Sequence, residues 1–161
     1  MSLSLRYDDC SQIVEDHGDT IYKIIYLYLK GADGIDDIFQ QVFLALVEKG
    51  PKFTDKKHQL AWLIRVAKNK SRDHYKNYWN RNTTGLNDWN LPPVKDSTND
   101  VLEAVFSLEE KYRIVIYMYY YEGYTTGEIS RILKIKEPTI RTQLKRGREK
   151  LKDLLKEVEL D

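Results

Sequence analysis

Cysteine, histidine and long apolar runs are what this chain has least of. A single cysteine, Cys10, in 161 residues rules out an internal disulfide, and His17, His58 and His74 are too scattered to give a zinc-ligand spacing. No metal and no other cofactor is therefore expected. The longest apolar-rich stretches, Ile21 to Leu29 and Ile114 to Tyr121, are too short to cross a membrane. The opening MSLSLRYDDC has neither the basic start nor the apolar core of a signal peptide. A soluble, cytoplasmic protein is expected. Strand-like alternation is missing too, as are internal repeats, so the expected fold class is all-α. Carboxylates gather at Asp33, Asp36 and Asp37, but no histidine or nucleophile accompanies them. At a helix start they more simply favour the positive end of the helix dipole. A metal enzyme is the weakest reading, and no small-molecule substrate is expected.

What the chain does have is core material and patterned charge. With 42% apolar residues it can fill one ordinary domain or two small ones. The net charge of +1 conceals an alternation: residues 1–50 hold 4 Lys/Arg against 9 Asp/Glu, 51–81 hold 9 against 2, 82–110 hold 1 against 6, and 111–161 hold 12 against 8. Surface fields are screened within about 10 Å at ordinary salt, so a phosphate backbone meets the two basic blocks rather than the mean.

The second basic block carries a motif. Thr125 followed by Glu128 is the pattern of a capping box, with Ile129, Ile132 and Leu133 as the apolar face of a short helix. Lys134-Ile135-Lys136 breaks the period, and Pro138 is tolerated only in the first turn of a new helix, which therefore begins near Glu137. Ile140, Leu144, Gly147, Leu151, Leu154 and Leu155 keep one face of that helix. Arg141, Thr142, Lys145, Arg146 and Arg148 lie elsewhere on it. The pattern is a helix-turn-helix whose second helix suits a DNA major groove.

The segment Asn82 to Asn99, NTTGLNDWNLPPVKDSTN, has the composition of a connection and divides the chain. The expected organisation is a helical domain at 1–82, a linker at 83–100 and a second helical domain at 101–161. Helices are expected at about Ser11 to Lys30, Ile35 to Lys49, Lys57 to Arg81, Val101 to Tyr121, Thr126 to Leu133 and Glu137 to Val158. In the second of these, Ile35, Ile38, Phe39, Val42, Leu46 and Val47 form a core face. The opposite stripe of Asp37, Gln40, Gln41, Leu44 and Glu48 is either plain solvated surface or a docking strip. In the third, Leu60, Leu63, Ile64, Ala67, Ser71, His74 and Tyr78 share a buried side, with Arg65, Asn69, Arg72 and Lys76 opposite and Trp62, Lys68 and Trp79 at the edges. Cations with exposed rings suit single-stranded nucleic acid, where each stacked base contributes about 1–3 kcal/mol.

On these residues the chain resembles the sigma subunits of bacterial RNA polymerase, in the small extracytoplasmic-function (ECF) group of the sigma-70 family. Asp36-Asp37-Ile38-Phe39-Gln40-Gln41-Val42-Phe43 is similar to the family's region 2.2. Ala61-Trp62-Leu63-Ile64-Arg65-Val66-Ala67-Lys68-Asn69 is similar to the start of regions 2.3 and 2.4, and Leu108 to Leu155 is similar to region 4. The resemblance implies a region 2 helical bundle and a region 4 helix-turn-helix joined by a flexible linker, in a non-enzymatic subunit that directs core polymerase to promoters and promotes DNA melting. It implies that Asp37, Gln40, Gln41 and Leu44 contact polymerase. Phe53, Lys56, Lys57, His58, Trp62, Arg65, Asn69, Arg72 and Lys76 would hold the melted minus 10 strand, and Arg141, Thr142, Lys145, Arg146 and Arg148 would bind the minus 35 element. The partners it implies are core RNA polymerase, through the β′ clamp helices and β flap, promoter DNA and an anti-sigma factor. The sequence departs from the pattern at Gln41, where an acid is common, and at Ser130, Lys134 and Lys136, where Ala, Gly and a hydroxyl cap are usual. A left-handed Lys134 would cost roughly 1 kcal/mol. The competing reading is a helix-turn-helix regulator that binds DNA without polymerase.

Overall fold

The computed structural model describes residues 7–30, 33–81 and 100–159. These form seven helices, and the chain divides into two compact units, Met1–Trp89 and Asn90–Asp161. The expected linker at 82–99 lies outside the described residues.

The first unit comprises α1 (Tyr7–Leu29), α2 (Ile35–Lys49) and α3 (Lys56–Arg81), each packed on the other two. The apolar spacing of three and four residues produces the core: Ile21, Ile24, Ile25 and Leu29 meet Ile38, Val42 and Leu46 and, from α3, Leu63, Ile64 and Ala67. Fully burying each large side chain contributes about 1.5–3 kcal/mol. The first helix starts at Tyr7, ahead of the expected Ser11, because no glycine or proline interrupts the residues between. Two other expectations fail. Val47 is 39% exposed at the far edge of α2's apolar face, and Lys68 is buried rather than at the solvent edge. A lysine's aliphatic stem packs like an apolar side chain.

Two polar ties position the start of α3. The His17 ring bonds Gln59 Oε1 at 3.0 Å, and Lys56 Nζ lies 3.3 Å from Asp16 Oδ2. The Gln12 amide and then Lys56 hold the Asp16 carboxyl below its ordinary range. At the other end of α2, Gly34 has φ 105°, and an added Cβ would stand 2.5 Å from His74 Nε2, which itself bonds the Asp33 carbonyl at 3.1 Å. Only glycine fits that turn.

The second unit comprises α4 (Asp100–Ser107), α5 (Glu110–Tyr120), α6 (Thr126–Leu133) and α7 (Glu137–Glu159). A single helix is expected over Val101 to Tyr121, but it is broken at Leu108 and Glu109, where Glu109 is extended. Neither glycine nor proline marks the break. It is held instead by Arg113, which is buried and donates from Nη1 to the Leu108 carbonyl at 2.7 Å. A buried guanidinium requires acceptors, and an interrupted helix frees a carbonyl to supply one.

α7 packs on α4, α5 and α6, crossing α5 at Gly147, where a Cβ would lie 3.1 Å from Ile116 Cγ1 and 3.3 Å from Tyr112 Cβ. The capping box forms as expected. Thr125 Oγ1 accepts from the Glu128 N–H at 3.1 Å, and Glu128 Oε1 accepts from the Thr125 N–H at 3.1 Å. Lys134 ends α6 in the left-handed region at φ 57°, ψ 46°. Ser130 compensates for that strain: its hydroxyl donates to the Ile135 carbonyl at 2.5 Å while its own carbonyl accepts from the Ile135 N–H at 3.1 Å. The serine thus fastens both sides of the turn.

Candidate nucleic-acid interface

At about 100° per residue, the α7 core face of Ile140, Leu144 and Gly147 leaves Arg141, Thr142, Lys145 and Arg146 on the outward arc. All four are exposed. They do not form one undifferentiated cationic patch. Glu137 Oε1 accepts from Arg141 Nη2 at 2.9 Å and from the Thr126 hydroxyl at 3.1 Å. The Arg141 and Thr126 hydrogen bonds, with the Arg141 charge, hold the Glu137 carboxyl below its ordinary range. The Thr142 hydroxyl is spent on the Pro138 carbonyl at 3.0 Å, within its own helix. Arg146 stands on the flank of that arc opposite Arg141 and lines an open cleft with Lys111, Thr139, Thr142 and Gln143.

Arg148 departs from the expected arrangement. Its Nε donates to Tyr120 Oη at 2.6 Å, and its guanidinium lies 5.4 and 5.6 Å from the ring centroids of Tyr119 and Tyr120. At that distance the contact is a cation–π interaction. Its position beside α5 fastens α7 to the end of that helix. Tyr120 lies 28 residues away in sequence, with Tyr119 next to it, so no local pattern announces them. Glu137, by contrast, stands four residues before Arg141, a local spacing from which the pair could have been found.

In the first unit, the residues before α3 turn back onto its first turns. The Asp55 Oδ1 accepts from the His58 N–H at 2.7 Å, which caps the helix start. Phe53 meets the rings of His58 and Trp62 edge-on at 5.4 and 5.9 Å between centroids. Phe53 and Trp62 are half-buried, so each leaves part of a ring open. Lys56, Lys57 and His58 are exposed, as are Asn69, Arg72 and Lys76 further along, with Arg65 half-buried between the two groups. The side chains of Tyr78 and Trp79 lie outside the described residues. An aromatic corner and a cationic helix side are therefore continuous along α3.

On α2, Asp37, Gln40, Gln41 and Leu44 are all exposed, and Leu44 is the most exposed large apolar residue of the strip at 55%. Asp36 and Asp37 stand in the helix's first turn. Among the described residues no three His, Cys, Asp or Glu side chains are grouped to hold a metal, and no helix is long and apolar enough to cross a membrane.

Family models match both units: sigma-70 region 2 over residues 13–81, which spans α1 to α3, and sigma-70 region 4 over residues 98–151, which spans α4 to most of α7. The chain belongs to the sigma-70 family. It is an ECF RNA polymerase sigma factor. Similar relatives are the ECF RNA polymerase sigma factor SigW of Bacillus subtilis, 28% identical over 94% of this chain and 91% of that protein, and RNA polymerase sigma factor CarQ of Myxococcus xanthus, 27% identical over 78% and 77%. The fold of this sigma factor is also that of RpoE, solved in complex with the anti-sigma factor NepR from Bartonella quintana. The TM-score is 0.74 at 16% identity, over 92% of this chain and 97% of RpoE. CnrH, solved in complex with the cytosolic domain of CnrY, gives a TM-score of 0.63 at 21% identity, over 92% of this chain and 88% of CnrH. In this sigma factor the region 2 unit carries the exposed α2 strip and the aromatic corner, and the region 4 unit carries the helix-turn-helix.

Proposed function

We propose that this sigma factor divides its work among three surfaces, and that it acts by binding energy without making or breaking a covalent bond. The α2 strip of Asp37, Gln40, Gln41 and Leu44 docks on the β′ clamp helices of core polymerase. The exposed Leu44 supplies an apolar anchor, and the polar neighbours supply a satisfied rim. Phe53, Lys56, Lys57, His58, Trp62, Arg65, Asn69, Arg72 and Lys76 hold the unpaired minus 10 strand, cations along the phosphates and rings against bases. Arg141, Lys145 and Arg146 bind the minus 35 duplex from the outward arc of α7, with Thr142 beside them and Arg148 holding the helix that presents them. Unstacking costs a few kcal/mol per step, which captured bases offset.

The observation that carries this reading is the exposed Leu44 inside the polar strip of α2, an apolar anchor on the unit that does not hold the helix-turn-helix. The setting is the cytoplasm, where polymerase and promoter DNA are, and the two units joined by residues 83–100 act as separate grips. The anti-sigma factor partnered with RpoE supports a protein inhibitor as a third partner, beside core polymerase with its β flap and promoter DNA. The test is run-off transcription with purified core polymerase on a promoter library, using wild-type protein and Leu44→Asp. Wild-type should yield transcripts, and Leu44→Asp should yield few while keeping its thermal midpoint, since an exposed substitution changes stability by no more than about 0.5 kcal/mol. Specific DNA binding that is equally strong with and without core polymerase would favour a free-standing regulator instead.

A further inference from the structure

The turn that starts α2 is held by a residue of α3. Gly34 precedes the helix with φ 105° and ψ 3°, and no side chain caps the free N–H groups of the first turn. Two backbone carbonyls are gripped instead. The Gly34 carbonyl accepts from the Ile38 N–H at 3.0 Å, which begins the helix, and the Asp33 carbonyl meets His74 Nε2 at 3.1 Å. A carbonyl only accepts, so Nε2 is the donor. The half-buried ring fills the space that a Cβ on Gly34 would need, 2.5 Å from Nε2 and 2.6 Å from Cε1. In sequence His74 stands between the exposed Arg72 and Lys76 and 41 residues from Asp33. At about 100° per residue it leaves α3 on the side opposite both cations.

We propose that His74 is a positioning residue for polymerase docking: by holding the Asp33 carbonyl against α3, it fixes the direction in which α2 leaves Gly34, and so where Asp37, Gln40, Gln41 and Leu44 stand. The proposal rests on the reading of that strip as the docking surface. Leverage gives the turn its importance. Leu44 stands about 15 Å along the helix from Gly34, so a swing of about 10° there displaces it by about 2–3 Å. A binding surface needs its anchor held to within about 0.5 Å. Ile38, Val42 and Leu46 in the core limit how far α2 can lift, but a glycine turn without a side-chain cap permits several directions of entry. The His74 hydrogen bond selects one of them. It also ties the polymerase strip to the helix whose other side carries Arg72 and Lys76.

The test measures the affinity of the full chain for purified core polymerase by fluorescence titration, with a thermal midpoint for each variant. His74→Phe keeps a ring and loses the donor, His74→Gln places an amide donor near Nε2, and Gly34→Ala pushes the ring away from Asp33. His74→Phe and Gly34→Ala should each weaken core binding about threefold to tenfold, the range of one net hydrogen bond, and His74→Gln should recover most of the loss. Leu44→Ala should also weaken binding. Adding His74→Phe to it should lose less than the two single changes combined, because both act through the same strip. A side chain that only stabilised the fold would lower the midpoint without that coupling. Wild-type affinity in both His74→Phe and Gly34→Ala, or a loss that adds in full to that of Leu44→Ala, would overturn the role of His74 and leave the docking strip standing. Core affinity unmoved by Leu44→Ala and by Leu44→Asp would overturn the docking reading itself.

Discussion

The Thr126 hydroxyl donates to Glu137 Oε1 at 3.1 Å, so the first turn of α6 is tied to the first turn of α7 through one carboxylate. The same oxygen accepts from Arg141 at 2.9 Å. A hydrogen-bonded acid therefore sits at the base of the outward arc, restraining a cation while keeping it 64% exposed at the side chain. Such a pair sets the direction of the arginine more than it stabilises the fold, because exposed ion pairs contribute little.

The Glu137 carboxyl is held below its ordinary range, so the tie contributes at pH values above the unfolded carboxyl's titration and is lost as pH falls through the lower folded value. The thermal midpoint of wild-type should therefore fall more steeply on acidification below the ordinary carboxylate range than that of Glu137→Gln. Parallel midpoint-against-pH curves for the two proteins would contradict the assignment. Near neutral pH, Glu137→Gln frees Arg141 and should raise affinity for non-specific duplex DNA, read by titration at several salt concentrations.

Lys134 occupies the left-handed region with a side chain that glycine lacks. Lys134→Gly should remove about 1 kcal/mol of strain, offset in part by the greater freedom of glycine in the unfolded chain. A net gain of up to about 1 kcal/mol in denaturant unfolding is expected. Ser130→Ala should act in the opposite direction by about 0.5–1.5 kcal/mol, because the Ile135 carbonyl loses its donor. A destabilised Lys134→Gly would show that the turn is not strained.

Gly147 marks the closest approach of α7 to α5, with Ile116 Cγ1 3.1 Å from the position a Cβ would take. Gly147→Val should cost about 1–3 kcal/mol by overpacking. Combining it with Ile116→Ala should cost less than the two single changes added together, since the shortened side chain makes room. Additive losses in urea unfolding would place the crowding elsewhere.

Arg146 and Arg148 should separate cleanly. Arg146→Ala should weaken promoter binding by the polymerase complex and reduce the salt slope by about 1, the signature of one lost phosphate contact, with little change in thermal midpoint. Arg148→Ala should instead lower the midpoint, because it removes the Tyr120 hydrogen bond and two ring contacts. Binding that is unchanged across salt concentrations for Arg146→Ala would remove that residue from the interface.

Signals that act within one turn were readable in advance. The Thr125–Glu128 box, the Pro138 start and the alternating faces of α2 and α3 each depend on residues no more than about four positions apart, and each is present in the structure. The break at Leu108 was not readable, because its cause is the need of buried Arg113 for an acceptor rather than any helix breaker. Lys68 and Val47 exchanged their expected environments for the same kind of reason: periodicity gives the direction in which a side chain leaves its helix, and only the neighbouring helices decide whether that direction is covered.

The sequence by itself therefore determined the all-α class, the helix-turn-helix, the two basic blocks and the exposed strip on α2, since these follow from local hydrogen bonding, composition and helical period. Tertiary structure decided what two of the cations do, whereas the tie of Arg141 to Glu137 is a local i,i+4 pair. Arg148 is drawn to the α5 tyrosines, and Arg146 is left facing the cleft with Lys111. Those outcomes depend on where α5 crosses α7 at Gly147, a contact between residues about thirty positions apart whose geometry comes from packing complementarity and is written in no single segment.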